Sequence, residues 1–283
     1  MQDLLNQTNE KYASFSKGQK KIADFITKNY EKAAFMTAQK LGAAVNTSES
    51  TVVRFAAELG FDGYGDFQDK LQEMIRNKLT AFQRMEVASE RIGNKSVIEN
   101  VMQSDLENIK RTIEEVDKNA FDGAVQDLLN AKRIYILGVR SAAALASFLG
   151  FYFNLIFDNV RLVHTTSVSE IFEQIMRTGE DDVVVAISYP RYSKRTLKAA
   201  EYAASKGSKV IAITDSASSP ITKYASNSLI ARSEMAYFVD SFAAPFSLVN
   251  ALIVAIGLRK KNEVYHNFEY LEQIWEEYQV YEK

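Results

Sequence analysis

The stretch from Thr37 to Phe61, TAQKLGAAVNTSESTVVRFAAELGF, holds two short apolar-periodic segments on either side of a polar centre. A helix-turn-helix needs three residue types at fixed spacing. These are a small residue in the first helix, a turn residue tolerant of positive φ, and an apolar residue in the second helix that closes the core. Gly42, Asn46 and Val52 stand at those places. Asparagine enters the left-handed region more easily than most residues other than glycine. Thr37 is placed to cap a helix running through Ala44, and Ser48 to cap the one that follows. That second helix is expected from about Ser50 to Leu59, with Gly60 suited to the position beyond its end. Leu41, Val45 and Phe55 complete the core.

In such a motif the first residues of the second helix face base edges and phosphates. Ser48, Ser50, Thr51 and Arg54 are therefore the candidate DNA contacts, since hydroxyls serve phosphates or bases and arginine can grip guanine with two hydrogen bonds. Upstream, Ser16 and Gln19 form an S-x-x-Q capping box ahead of Ile22, Phe25 and Ile26. The helix they open carries Lys17, Lys21, Lys28 and Lys32. At about 100° per residue these four share an arc of roughly 60°. The stripe is either a solvated face or one laid against phosphates, and Lys17 and Lys21 are the candidates for the latter. A further helix is expected from about Tyr64, so residues 1–77 read as an all-α bundle.

Residues 78–96 are polar, with Gly93-Asn94-Lys95-Ser96 as the expected break. Val97, Val101, Leu106, Ile109, Ile113 and Val116 recur at helical spacing in a helical stretch over 97–130. Residues 78–109 are assigned to a linker and connecting helix, and 110–283 to a second domain. From Lys132 the texture changes. Short apolar, β-branched runs at Arg133–Leu137, Val160–Val163, Asp182–Ile187, Lys209–Thr214 and Asn227–Ala231 alternate with helical stretches. Such alternation argues a parallel sheet covered on both faces. The expected fold is a doubly wound α/β domain of five strands in order 2-1-3-4-5. An apolar helix at 241–258 and an amphipathic one at about 266–281 close the chain.

In an open parallel sheet, ligands bind beyond the carboxyl ends of the strands where the strand order reverses. Here that crevice lies between the loop Gly138-Val139-Arg140-Ser141 and the loop Ser188-Tyr189-Pro190-Arg191-Tyr192-Ser193, the latter leading into a helix with Arg195 and Thr196. Both loops end at helix N-termini, whose free N–H groups favour anions. Gly138, Arg140, Ser141, Ser188, Arg191, Ser193 and Thr196 are the candidate contacts for a small anionic ligand, a phosphate or a carboxylate. Each has an ordinary alternative. Ser141 and Ser193 are equally suited to helix capping, the arginines to surface ion pairs, and Tyr189 and Tyr192 to packing.

Composition bounds the rest. The 283 residues are 47% apolar and 25% charged, enough for two modest domains. A net charge of −2 excludes generic polyanion binding, so any nucleic-acid site is local. The absence of cysteine excludes disulfides, thiolate zinc sites and cysteine nucleophiles, and it fits the cytoplasm. Met1 to Lys11 lacks the apolar core of a signal peptide. Ser241 to Leu258 is barely long enough to span a bilayer and contains Pro245, Ser247 and Asn250, so a buried or subunit-contact helix is expected and no membrane partner. No metal or cofactor is expected. An isomerase would need a general base. The two histidines, His164 and His266, read as structural and as surface or capping residues, and Glu170 and Glu173 make no acid–base pair. The non-enzymatic reading is therefore preferred, with a sugar-phosphate isomerase as the alternative.

The run Thr51-Val52-Val53-Arg54-Phe55, then Leu59-Gly60-Phe61, Gly63-Tyr64 and Phe67, resembles the N-terminal domain of the RpiR-type transcription regulators over about the first 77 residues. Asn46 and Thr47 stand where Gly-Val is common in that family. Residues from about 110 to 260 resemble a sugar-isomerase (SIS) domain, which has a glycine-rich turn after its first strand and I-S-x-S-G-x-T after its third. Here Ser188 matches and Ser193 keeps the hydroxyl, while Pro190 replaces a serine and Arg191 a glycine. Arg140 also stands where glycine is common, and Val210 to Asp215 with Ser219-Pro220 and Ala225 fits the pattern. The resemblance implies a homodimer or homotetramer that binds a double-stranded DNA operator and responds to a phosphosugar. The two arginines turn that expectation toward a phosphosugar or a sugar acid.

Overall fold

The computed structural model describes residues 2–75, 80, 82, 84–85, 96–163, 167–235 and 237–282. The chain divides into two compact units, Met1–Asn94 and Lys95–Lys283. The expected break at Gly93-Asn94-Lys95 and the residue His164 lie outside the described residues.

The first unit is helical throughout its described elements: α1 (Gln2–Lys11), α2 (Lys17–Ala33), α3 (Ala38–Ala44), α4 (Glu49–Glu58) and α5 (Tyr64–Ile75). Its caps are the ones the sequence announces. The Ser16/Gln19 box is closed in both directions at the start of α2. Thr37 Oγ1 accepts from Lys40 N at 3.2 Å, and Ser48 Oγ from Thr51 N at 3.3 Å. Gly60, φ 93°, takes the left-handed position after α4. Ile22, Ile26, Leu41, Val52, Phe55, Phe67 and Leu71 are buried, with Phe55 tilted against Phe15 (5.1 Å) and edge-to-face with Phe67 (5.8 Å). Tyr64 donates from its hydroxyl to Met36 O at 2.7 Å, and burial pushes its phenol up, so it stays a neutral donor. One feature of α2 departs from expectation. Asn29 is non-helical (φ −136°, ψ 39°), so Lys32 lies beyond a kink and does not continue the stripe of Lys17, Lys21 and Lys28.

The second unit begins with α6 (Val97–Glu115) and α7 (Lys118–Leu129). The stretch 97–130 is therefore two helices. Val116 is extended, and Asp117 starts a new helix by accepting from Asn119 N and Ala120 N at 2.9 and 3.0 Å. The first of these helices also runs through the boundary drawn between residues 109 and 110. Then follow β1 (Arg133–Gly138), α8 (Ala142–Ile156), β2 (Val160–Val163), α9 (Val168–Ile175), β3 (Asp182–Ile187), α10 (Lys194–Ser205), β4 (Lys209–Thr214), β5 (Asn227–Ile230), α11 (Ala243–Arg259) and α12 (Lys261–Glu277). The five strands are parallel in the order β2-β1-β3-β4-β5.

Because side chains alternate across a strand, the sheet feeds two cores. Ile134, Ile136, Val185, Ile211 and Ile213 pack with residues of α7, α8 and α11 on one face. Tyr135, Leu137, Val184, Ala186 and Val210 pack with α9 and α10 on the other. The apolar segment 241–258 is thus a core helix, with Leu248, Val249, Leu252 and Ile256 of α11 buried. Among the described residues no single helix is long and apolar enough to cross a membrane. Helix α6 is joined to its own unit by polar groups. Arg232 N donates to Thr112 Oγ1 (2.9 Å), Glu234 N to Asn108 Oδ1 (3.2 Å), and Arg232 pairs with Glu115 at 2.6 Å. Its apolar residues Ile98, Met102, Leu106 and Ile113 are exposed.

Candidate functional site

The turn between α3 and α4 sets the first site. Asn46 adopts φ 51°, as the motif requires. Gly42 is small because a methyl group there would sit 2.9 Å from Thr47 O and 3.3 Å from Glu49 N. With the two helices this close, the start of α4 emerges as an exposed hydroxyl cluster: Ser48 Oγ lies 2.9 Å from Ser50 Oγ and 2.8 Å from Thr51 Oγ1. Arg54, also exposed, lies one turn along and donates to Ser50 O (3.3 Å) and Thr51 Oγ1 (3.5 Å). The first turn of α2 abuts the same spot. A methyl on Gly18 would lie 3.1 Å from Thr47 Oγ1 and 3.2 Å from Thr51 Cγ2. Lys17 and Lys21 are exposed on that first stretch of α2. The four hydroxyl and guanidinium groups of α4 are contiguous, and the two lysines belong to the helix packed beside them. Hydroxyls, an arginine and lysines on one exposed face form a surface suited to phosphates and base edges.

The second site lies at the carboxyl ends of β1 and β3. Gly138 and Ile187 are register partners, so the two loops leave the sheet side by side. A methyl on Gly138 would collide with Ala142 O at 2.5 Å, and only glycine permits this tight entry into α8. Ser141 occupies the N-cap position of α8 without a side-chain capping bond. Ser193 does cap α10, accepting from Arg195 N at 3.2 Å, which leaves its hydroxyl proton to donate. Among the described residues, Ser188 Oγ and Thr196 Oγ1 are buried with no hydrogen-bond partner. Ser188 lies just after β3 and Thr196 in the first turn of α10, and a buried hydroxyl left without a partner is costly.

Beyond these seven residues the loop after β3 is tied to β4, which sequence reasoning did not foresee. Tyr192, expected to pack, instead donates its hydroxyl to the buried Asp215 at 3.0 Å. Thr214 Oγ1 donates to Ser188 O at 2.6 Å and lies 2.8 Å from Ser219 Oγ. The available signal was the polar pair Thr214-Asp215 ending an apolar strand run. Glu170, Glu173 and His266 are exposed on α9 and α12.

Comparison with known proteins agrees with both halves. Residues 2–78 match the helix-turn-helix domain of the rpiR family, and residues 127–255 match the SIS domain. The chain carries the helix-turn-helix domain of the rpiR family and a SIS domain. An uncharacterised HTH-type transcriptional regulator of Clostridium perfringens is 24% identical over 78% of this chain and 78% of its own length. Among solved structures, the sugar isomerase domain of an RpiR transcription factor from Sphaerobacter thermophilus superposes with a TM-score of 0.59. It shares 24% identity and covers 61% of this chain and 96% of that one. The Vibrio vulnificus NanR protein, solved with ManNAc-6P, covers 96% of this chain and 98% of its own at a TM-score of 0.56 and 21% identity. The protein is thus a helix-turn-helix transcriptional regulator with a SIS domain.

Two departures from the SIS pattern have a clear backbone meaning. Arg140 and Arg191 stand where glycine is common, and both adopt the left-handed conformation, with φ 58° and 67°. An arginine in this region carries a steric penalty of roughly 1–2 kcal/mol that a glycine avoids. Both side chains are exposed, and the Arg140 carbonyl accepts from Ala143 N at 3.1 Å.

Proposed function

We propose that this RpiR-family regulator binds operator DNA through Ser48, Ser50, Thr51, Arg54, Lys17 and Lys21, and that a small anionic metabolite modulates this binding from the SIS crevice. The observation that carries the second half is two buried, unpartnered hydroxyls, Ser188 Oγ just after β3 and Thr196 Oγ1 in the first turn of α10. An anion seated there would accept from both, from Ser193, and from free backbone N–H groups of the first helical turn. The ManNAc-6P held by the Vibrio vulnificus NanR protein supports a phosphosugar, and a sugar acid fits the same donors. The ligand acts by unequal affinity for DNA-competent and DNA-incompetent forms.

The protein works without catalysing a reaction, in the cytoplasm, as a homodimer or homotetramer. The exposed apolar side chains of α6 support self-association. Sedimentation that returns only a monomer at every concentration would exclude it. The central experiment is fluorescence anisotropy against DNA from upstream of the protein's own gene at two salt concentrations, with and without phosphosugars and sugar acids. Sequence-selective, salt-weakened binding that a ligand changes is expected. If genome-wide DNA selection recovers no preferred sequence, the regulator reading fails.

A further inference from the structure

Helix α6 opens the second unit, and its anchorage is polar. Of its 19 residues, Asn108 and Thr112 are the buried ones. Val97, Ile98, Met102, Leu106 and Ile113 are exposed, and a hollow of about 390 Å³, lined by Ile109, Ile113, Phe121 and Leu248 among others, lies where α6 meets α7 and α11. Asp105, Asn108, Thr112 and Glu115 recur at alternating spacings of three and four, so they form one stripe along the helix. Every member of that stripe holds the loop after β5. Asp105 accepts from Ser241 Oγ, Asn108 Oδ1 from Glu234 N at 3.2 Å, Thr112 Oγ1 from Arg232 N at 2.9 Å, and Glu115 from Arg232 Nε at 2.6 Å. Asn108 Nδ2 and Ser233 Oγ are buried with no hydrogen-bond partner among the described residues. A helix held by a polar clasp with unmet donors, over a hollow and not over a packed core, is the kind of element that opens locally.

The same loop touches the crevice. The strands are parallel and β4 lies between β3 and β5, so the loops after β3 and β5 leave one edge of the sheet about 10 Å apart. The loop after β5 is closed on itself. Met235 and Asp240 form an antiparallel bridge, and Ser241 N donates to Glu234 O at 3.3 Å. Phe242, which follows, has its ring centre 5.1 Å from that of Tyr189, the neighbour of Ser188 in the loop after β3. One apolar contact and one hydrogen bond, made by the adjacent residues Phe242 and Ser241, thus join the crevice loop to Asp105 of α6. Resting on the reading of this crevice as an anion sensor, we infer that Ser241 and Phe242 are positioning residues that carry the occupancy of the crevice to α6, the helix by which the chain enters the second unit from the helix-turn-helix unit. An anion held by Ser188 and Thr196 fixes the loop after β3, steadies the Tyr189–Phe242 ring pair and strengthens the clasp, so α6 opens less often.

Amide hydrogen exchange of the full chain, read by mass spectrometry with inorganic phosphate as the anion probe, tests this. In the parent, phosphate should slow exchange in the loop after β3 and in α6 together. Ser241→Ala removes the bond to Asp105. It should speed exchange in α6 by about tenfold, the worth of one hydrogen bond to a carboxylate, and abolish the response of α6 to phosphate while the loop after β3 still responds. Tyr189→Leu removes the ring contact and should speed α6 in the same way without any anion. Exchange in α7, whose Ala124, Val125 and Leu128 are buried in the sheet core, should not change in either variant, and this separates a local clasp from a general loss of stability. If α7 also accelerates in Tyr189→Leu, Ser241→Ala alone decides. Phosphate protection of the loop after β3 with α6 unchanged in the parent overturns this inference and leaves anion sensing standing. Protection of neither removes the anion site and the inference with it. Exchange in α6 that equals the parent's in the anion-free variants removes the link alone.

Discussion

Gly42→Ala sets two effects against each other. In a helix interior alanine is favoured over glycine by about 1 kcal/mol, so α3 by itself gains. The new methyl, however, meets Thr47 O at 2.9 Å and Glu49 N at 3.3 Å. These are backbone atoms of the turn and of the start of α4, not the far end of a side chain. They cannot swing aside, and overpacking of this kind costs about 1–3 kcal/mol. The same turn is closed by Thr47 N donating to Gly42 O at 2.9 Å, and weakening that bond adds about 1 kcal/mol. The clash wins, and a net loss of about 1–3 kcal/mol is expected. What yields is the segment Thr47–Glu49, which aims Ser48, Ser50, Thr51 and Arg54. Operator affinity should therefore fall by about tenfold or more. Gly65→Ala is the internal control. It lies in α5 with nothing within 4 Å of its added methyl, and it should be neutral or stabilise by about 0.5–1 kcal/mol. Urea unfolding should be followed by circular dichroism, because the single tryptophan, Trp275, belongs to the second unit. A Gly42→Ala protein as stable as Gly65→Ala, with DNA affinity unchanged, would refute the close helix approach.

Arg54→Ala should weaken operator binding by about 1–3 kcal/mol and leave ligand titrations unchanged; an unaltered anisotropy curve would remove Arg54 from the interface. Ser188→Ala deletes a buried hydroxyl with no partner, so the ligand-free protein should melt no lower than the parent while the thermal shift produced by a phosphorylated ligand shrinks. A large loss of stability without ligand would mean that the hydroxyl is structural. Arg133 grips the buried Asp182 with two bonds of 2.9 and 2.8 Å, and Asp182 also accepts from Gly179 N at 2.9 Å. Since Arg133 is itself 29% exposed, Arg133→Ala should cost about 2–3 kcal/mol, below the penalty for breaking a fully buried pair. Urea midpoints of parent and variant measure it, and a change below half a kcal/mol would mean that water replaces the arginine.

Some elements are legible in the sequence because one local force decides them. Strands such as Asp182–Ile187 are buried on both faces, so they appear as uninterrupted apolar runs between polar ends. The capping box at Ser16 and the cap at Ser48 depend on residues within one turn. The helix break at Val116-Asp117 was hidden because apolar spacing continues across it, and only the N-cap role of Asp117 marks the restart. The kink at Asn29 has no apolar signature either. At the proposed ligand crevice, the candidate residues follow from topology, as loops at the carboxyl ends of β1 and β3. The features that support the proposal are tertiary. Tyr192 meets Asp215 across 23 residues of chain, and the lack of partners for Ser188 and Thr196 depends on every neighbouring atom.

Three positions connect the two domains' chemistry through one backbone conformation. Asn46, Arg140 and Arg191 all have φ between 51° and 67° where the family pattern uses glycine or a turn. For Asn46 the exchange is cheap, because a short polar side chain tolerates this region, and the turn needs nothing else from it. For the arginines no such tolerance exists. All three depart from the family's residue pattern, and all three share one region of backbone space. What separates them is the steric penalty of the residue installed, which is small at the turn between α3 and α4 and larger in the loops after β1 and β3. A glycine position therefore specifies a conformation, not a residue. Arg140→Gly and Arg191→Gly would remove the steric penalty together with the side chain, but they also add conformational freedom to the unfolded chain, so the two backbone effects on stability oppose each other.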